Sequence, residues 1–232
     1  MALALQALYD TLLMCWNKRS SQRPYMRSRL ELTQTPRFVA LREFEVLTLP
    51  ANATLLMIDV QQGFDEPSLG KRNNPDAEQQ MAKLLAAWRR THRPVIHIQH
   101  MSREPHSPFR PGQSGNAIKT LAQPQSDEPI IQKEVNSAFI GTDLEARLRA
   151  ADVSTLVIVG LTTDHCVSTT TRMAGNLGFT AYLVADATAT FDRIGHDGTF
   201  YPAEQLHKVS LVSLHGEFAT VVDTATLLER LQ

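Results

Sequence analysis

Two spacings of apolar residues alternate along the chain. Thr54-Leu-Leu-Met-Ile-Asp-Val60 is short and nearly all apolar, the pattern of a strand buried on both faces. Across residues 76 to 91, Met81, Leu84, Leu85 and Trp88 recur at helical spacing, and Asp76 favours the helix start through the dipole. Pro94 opens a second apolar strand, Val95 to Ile98. Residues 102 to 129 are rich in Pro, Ser, Gly and Gln, and a loop that long inside a compact domain is usually functional. A third strand is predicted at Ile130 to Lys133. A helix capped by Thr142 and Asp143 then runs through Ala151, with Leu144 and Leu148 inward. Thr155 to Gly160 reads as a buried strand, and residues 165 to 177 as a helix closed by Gly178. Ala181 to Ala185 reads as a fifth strand and Lys208 to Leu214 as a sixth. Helical segments between 216 and 231 finish the chain.

Strand and helix thus alternate about five times. The expected fold class is α/β, a doubly wound, mostly parallel six-stranded sheet with helices on both faces. Ligands of such folds bind at the carboxyl ends of the strands. No internal repeat or glycine-rich dinucleotide fingerprint is present. Gly112-Gln-Ser-Gly115 lies in the long loop rather than between a strand and a helix, so it is not a phosphate loop.

Composition narrows the partners. The chain has 232 residues, 43% hydrophobic and 20% charged, with a net charge of −1. That suits one sizeable globular domain and gives no nucleic-acid or membrane surface. No apolar run approaches the roughly 18 residues of a transmembrane helix. Cys15 and Cys166 sit in different contexts, so no disulfide framework is expected, and a reducing, cytoplasmic location fits. Residues 1 to 35 read as an N-terminal extension, and 36 to 232 as the functional domain. Met1 to Trp16 is apolar enough for a short amphipathic helix. Lys18, Arg19, Arg23, Arg27 and Arg29 follow it, with Asp10 the sole acid before Glu31. A secretory signal has the reverse order of charge and apolar run. A transit peptide for organellar import, a disordered extension, a helical arm, and translation from a start upstream of Met26 all remain open.

Three candidate reactive residues fall at strand ends. Asp59 ends the first strand, and a carboxylate in so apolar a run must be paired, hydrogen-bonded or protonated. Taken alone it also suits a loop-bracing role. Lys133 ends the third strand, and alone it suits a lysine that snorkels to solvent. Cys166 follows Gly160-Leu-Thr-Thr-Asp-His165, where a strand turns into a helix. A lone cysteine is commonly a buried, inert one. In the first turn of a helix, however, the dipole favours thiolate, and a nearby Lys133 would favour it further. Asp59 would take the thiol proton and later activate water. Backbone N–H groups at the turn would form an oxyanion hole.

At these residues the chain resembles the isochorismatase-like cysteine hydrolases, a family that includes nicotinamidases and carbamoyl-amide hydrolases. Leu56-Met-Ile-Asp-Val-Gln-Gln-Gly-Phe64 resembles its opening strand motif, and Lys133-Glu-Val-Asn-Ser-Ala-Phe139 its lysine motif. Val159-Gly-Leu-Thr-Thr-Asp-His-Cys-Val-Ser-Thr169 resembles the nucleophile motif, and Asp186-Ala-Thr-Ala-Thr190 the next strand end. The resemblance covers roughly residues 52 to 222. It implies an Asp59–Lys133–Cys166 triad, a cis peptide at Leu161–Thr162, and an oxyanion hole from the N–H groups of Thr162 and Cys166. It places Phe64, Ser137 and Phe139 near the substrate. Core packing for the two phenylalanines, and a turn hydrogen bond for Ser137, are the alternatives. It also implies a homo-oligomer, whose neighbouring subunit would help to complete the pocket.

One departure matters. Nicotinamidases carry an Asp-x-His pair of metal ligands after the second strand, and the corresponding stretch here reads His100-Met101-Ser102. No other histidines have metal-ligand spacing, so no metal and no cofactor are expected. His165 adjoins the nucleophile, but neighbouring helical residues point about 100° apart, which puts it on the rim. The expected activity is hydrolysis of a C–N bond in a small amide, ureido or carbamoyl compound through a cysteine thioester. Two other readings remain. One is vinyl ether hydrolysis of the isochorismatase type, with the aspartate as general acid. The other is a non-catalytic ligand-binding protein.

Overall fold

The computed structural model describes residues 49–231. The predicted boundary near residue 35 and the basic segment before it lie outside those residues. Six strands form one sheet: β1 (Thr54–Ile58), β2 (Val95–His100), β3 (Ile130–Lys133), β4 (Thr155–Leu161), β5 (Thr180–Ala189) and β8 (Thr220–Val222). Their order is β3-β2-β1-β4-β5-β8, and every neighbouring pair is parallel. A small antiparallel pair, β6 (Arg193–Ile194) and β7 (Phe200–Tyr201), stands apart from it. Five α-helices are described: α1 (Ala77–Arg90), α2 (Leu144–Ala150), α3 (Ser168–Asn176), α4 (Ala203–Leu214) and α5 (Thr224–Glu229). Among the described residues no helix is long and apolar enough to cross a membrane.

The central strands are apolar throughout because each serves two cores. In β1, Leu55 and Met57 join the cluster beneath α1 and α5, while Leu56 and Ile58 join the cluster beneath α2, α3 and α4. The period of two along a strand divides the residues this way. Met81, Leu84, Leu85 and Trp88 supply the buried stripe of α1, and the Trp88 indole donates to the Ala53 carbonyl at 2.9 Å.

One part of the predicted topology needs correction. Lys208 to Leu214 is not the sixth strand; it is the second half of α4. Its Val, Leu and Ser content suits a strand locally, but Pro202 opens a helix there, and Ala203, His207 and Leu214 form its inward face. Val209 and Val212 consequently lie exposed. The sixth strand is the three-residue β8, inside the segment read as helical. The helix that follows is α5, capped by Asp223, which accepts from Thr226 N at 2.7 Å.

The long loop 102–129 is held down at its end by Glu128. That carboxylate accepts from Arg89 Nε and Nη2, both at 2.7 Å, from Gln125 N at 2.9 Å, and from buried His97 Nε2 at 2.9 Å. Burial raises the Glu128 carboxyl, but these hydrogen bonds and the Arg89 charge outweigh it and bring it down to about 2. A carboxyl held below its unfolded value of about 4.5 stabilises the fold above that pH. The contribution is lost as pH falls toward 2. Glu128→Gln should therefore lower stability at neutral pH. In urea denaturation it should also flatten the decline between about pH 4.5 and 2.

The strand order reverses between β1 and β4, and a crevice opens at their carboxyl ends. β1 delivers Asp59 there, and β4 delivers the turn carrying Cys166. The two strands approach closely: a Cβ on Gly160 would lie 2.0 Å from the Ile58 carbonyl oxygen, and Gly160 has φ +127°. Only glycine fits at this point.

Candidate active site

Four strand ends meet in this crevice. Lys133 ends β3, and its Nζ donates to Asp59 Oδ2 at 2.6 Å and to Cys166 Sγ at 3.3 Å. Asp59 and Lys133 are each only 1% exposed, so the pair is a buried one. Asp59 has a positive φ of 50°, a conformation that aspartate tolerates better than most residues. Its other oxygen, Oδ1, is buried with no hydrogen-bond partner among the described residues. His100, at the end of β2, brings Nδ1 to 3.3 Å from the same ammonium. The three predicted reactive residues therefore come together, with His100 as a fourth.

The peptide bond Leu161–Thr162 is cis, as the resemblance implied. After it comes a π-helical turn, Thr163–Val167, and then α3. Cys166 thus precedes the α-helix rather than lying in its first turn. The turn is pinned from two sides. Thr163 Oγ1 lies 2.9 Å from Nδ1 of buried His207 on α4. Asp164 accepts from Thr190 Oγ1 at 2.5 Å and from Arg193 Nε at 2.9 Å. Burial raises the Asp164 carboxyl, yet those bonds win and hold it below its usual value.

The thiol does not follow the expectation from sequence. Burial first, and then the Asp59 charge, push Cys166 up to about 12, and Lys133 only partly opposes them. The Lys133 charge is already matched by Asp59, so a thiolate would add an unmatched buried negative charge. The resting site therefore holds a thiol beside a carboxylate–ammonium pair. Absorbance at 240 nm, compared between the protein and its Cys166→Ser variant, should show no thiolate step from about pH 6 to 9.

Asp59, Cys166 and His100 line a cavity of about 270 Å³, walled by Phe64, Phe109 and Phe191. Thr162 and Arg193 line it as well, and half-exposed His165 sits at its rim as expected. Two larger grooves, of about 870 and 730 Å³, lie elsewhere and are lined by no cysteine. Chemistry rather than volume selects the site. Of the three proposed substrate contacts, only Phe64 reaches the cavity. Phe139 stacks on Phe179 at 5.9 Å in the core. Ser137 is buried, and its Oγ accepts from Phe139 N at 3.2 Å, a turn hydrogen bond. Phe109 was not identified from sequence, since it comes from the irregular long loop. Phe191 and Arg193 follow β5 and carry no motif or spacing signal in the sequence.

Asp59, His100 and Cys166 each offer a ligand-type atom, all within 4.8 Å of one another. The Lys133 ammonium touches all three residues, so a cation is already present where a metal would bind. These residues do not suit a metal ion.

The doubly wound parallel sheet brings a cysteine, an aspartate and a lysine together at its switch point. The chain belongs to the isochorismatase family: the Isochorismatase domain model matches residues 53–226. It is similar to the isochorismatase family protein YrdC of Bacillus subtilis (strain 168), with 51% identity over 174 residues, 75% of this chain and 93% of that protein. It resembles the crystal structure of an isochorismatase-family protein from Chromobacterium violaceum ATCC 12472, at 47% identity and a TM-score of 0.78. That match covers 80% of this chain and 96% of the other. At greater distance it is similar to Nicotinamidase 3 of Arabidopsis thaliana, with 28% identity, 74% of this chain and 84% of that protein. The structure of a cysteine hydrolase from Pseudomonas syringae pv. phaseolicola 1448A matches at 27% identity and a TM-score of 0.73, over 80% and 95% of the two chains.

Proposed function

We propose that this isochorismatase-family hydrolase cleaves a C–N bond of a small amide, ureido or carbamoyl compound, with Cys166 as nucleophile. The observation that carries the reading is the buried Lys133 ammonium, which holds Asp59 Oδ2 and Cys166 Sγ at 2.6 and 3.3 Å while Asp59 Oδ1 stays unpartnered. Oδ1 is the free acceptor for the thiol proton. Moving that proton from sulfur to Asp59 leaves the total charge of the site unchanged, so a high thiol pKa does not forbid the transfer. The names of Nicotinamidase 3 and of the P. syringae cysteine hydrolase support this chemistry by analogy.

The reaction proceeds in two halves. Cys166 Sγ attacks the substrate carbonyl as its proton passes to Asp59. The N–H groups of Thr162 and Cys166 receive the oxyanion. The C–N bond breaks as Asp59 protonates the leaving nitrogen, and a thioester remains on Cys166. Water then gives a proton to Asp59 and adds its oxygen to the thioester carbonyl. The C–S bond breaks, the acid leaves, and sulfur regains the proton. Lys133 holds the two reacting groups and balances Asp59. No step uses a metal.

The test is an ammonia-release screen of small amides and ureides on the full chain, with isochorismate as a comparison. Release from an amide that depends on Cys166 supports the reading. Hydrolysis of isochorismate alone, undiminished in Cys166→Ala but lost in Asp59→Asn, would replace it by the vinyl ether mechanism. No turnover of any compound would leave a binding protein.

A further inference from the structure

Lys133 sets a condition that two partners do not meet. An ammonium has three N–H donors and no acceptor, and this side chain is fully shielded from solvent. Asp59 Oδ2 and Cys166 Sγ accept two of the donors, and His100 Nδ1 lies 3.3 Å from the same nitrogen. Nδ1 must then carry a lone pair. A neutral imidazole with its lone pair on Nδ1 has its proton on Nε2. Burial and then the Lys133 charge hold His100 below its ordinary pKa, in agreement with the neutral form.

The backbone that carries the ring is held in place as well. Gln61 accepts from His100 N at 2.9 Å and donates to His100 O at 3.1 Å, and Asn116 Nδ2 donates to that carbonyl at 2.9 Å. Phe109 meets the imidazole edge to face at 6.4 Å. Nε2 is the one polar ring atom left over. Among the described residues it has no hydrogen-bond partner, and it is not sealed from solvent. The ring lines the cavity that holds Cys166.

We propose that His100 is a specificity-determining residue, whose Nε2–H donates to an acceptor atom that the substrate carries near its scissile carbonyl. The substrate class is then a small amide or ureide with a lone-pair nitrogen or oxygen a few bonds from the C–N bond. A cavity of about 270 Å³ limits it to compounds of roughly one ring or a short chain. The inference rests on the amide-hydrolase reading for its substrate class, but its test needs no turnover.

Two matched pairs of probes differ in the acceptor: nicotinamide against benzamide, and N-carbamoylglycine against isobutylurea. Binding to the full chain is read as thermal protection, the rise in melting temperature with probe concentration, normalised to each variant's unliganded melting temperature. In at least one pair, the acceptor-bearing member should protect at about tenfold lower concentration or better. His100→Asn should erase that advantage while the unliganded melting temperature holds, because Asn Oδ1 can still accept from Lys133. Nitrogen-15 spectra of the unliganded protein should show His100 neutral and protonated on Nε2 at neutral pH.

Equal protection within both pairs, or none in either, would overturn the proposal. So would an Nδ1–H or imidazolium pattern, or an advantage that survives in His100→Asn. If His100→Asn and His100→Ala lose melting temperature alike, the ring serves only to hold Lys133, and the proposal fails. Failure of the amide-hydrolase reading looks different: the tautomer and protection results stand, but no amide turns over.

Discussion

Replacing Cys166 by Ala should lower kcat by at least about 10⁴-fold and leave the fold in place. Cys166 carries the sole thiol among the residues that line the cavity, and the proposed intermediate is its thioester. Asp59-activated water attacking the amide directly would lack a nucleophile of comparable strength. The packing cost is small, since Cys166 is partly buried at the cavity and only packs against the edge of a core. Its loss removes one of the three acceptors around the buried Lys133 ammonium, at a cost of about 1 to 3 kcal/mol. In a chain of this size that shifts the melting temperature by roughly 2 to 12 °C. Steady-state kinetics with the best amide from the screen, together with a melting curve, check both halves. Activity within tenfold of the unaltered protein would remove Cys166 from the mechanism.

Lys133→Ala should damage stability as well as turnover. Asp59 would remain buried, with Oδ1 already unpartnered and Oδ2 newly so. Breaking a buried ion pair from one side costs about 3 to 5 kcal/mol. The melting temperature should fall by roughly 6 to 20 °C. Removing both charges, as in Asp59→Asn with Lys133→Met, should recover part of that loss without restoring activity. A Lys133→Ala protein as stable as the original would mean that the pair is far better hydrated than its burial implies. Thermal denaturation of the three variants distinguishes these outcomes.

The parts of the fold that sequence revealed are those with unambiguous spacing. β1 and β4 are buried on both faces, so their residues form unbroken apolar runs. The stripe of α1 repeats at helical spacing for more than two turns. The carboxyl-terminal region lacks such signals. α4 presents Val209 and Val212 to solvent, which imitates a strand, and β8 is only three residues long. Within the site, Asp59 and Lys133 are legible because each ends a strand, and Cys166 because it follows a strand that turns into a helix. The family resemblance places Ser137 and Phe139 near the substrate as part of the lysine motif. The chain turns away after Asn136, so Asn136 reaches the cavity and they do not. The thiolate tendency read from the helix dipole and Lys133 is opposed in the structure by burial and by the Asp59 charge, which push the Cys166 thiol up.

Mass spectrometry of the protein, quenched during turnover of an amide, tests the nucleophile most directly. An adduct with the mass of the substrate's acyl part, located on the Cys166 peptide and decaying no more slowly than kcat, is the predicted result. Acid product formed with no adduct on Cys166 at any quench time, and formed equally by Cys166→Ala, would contradict it.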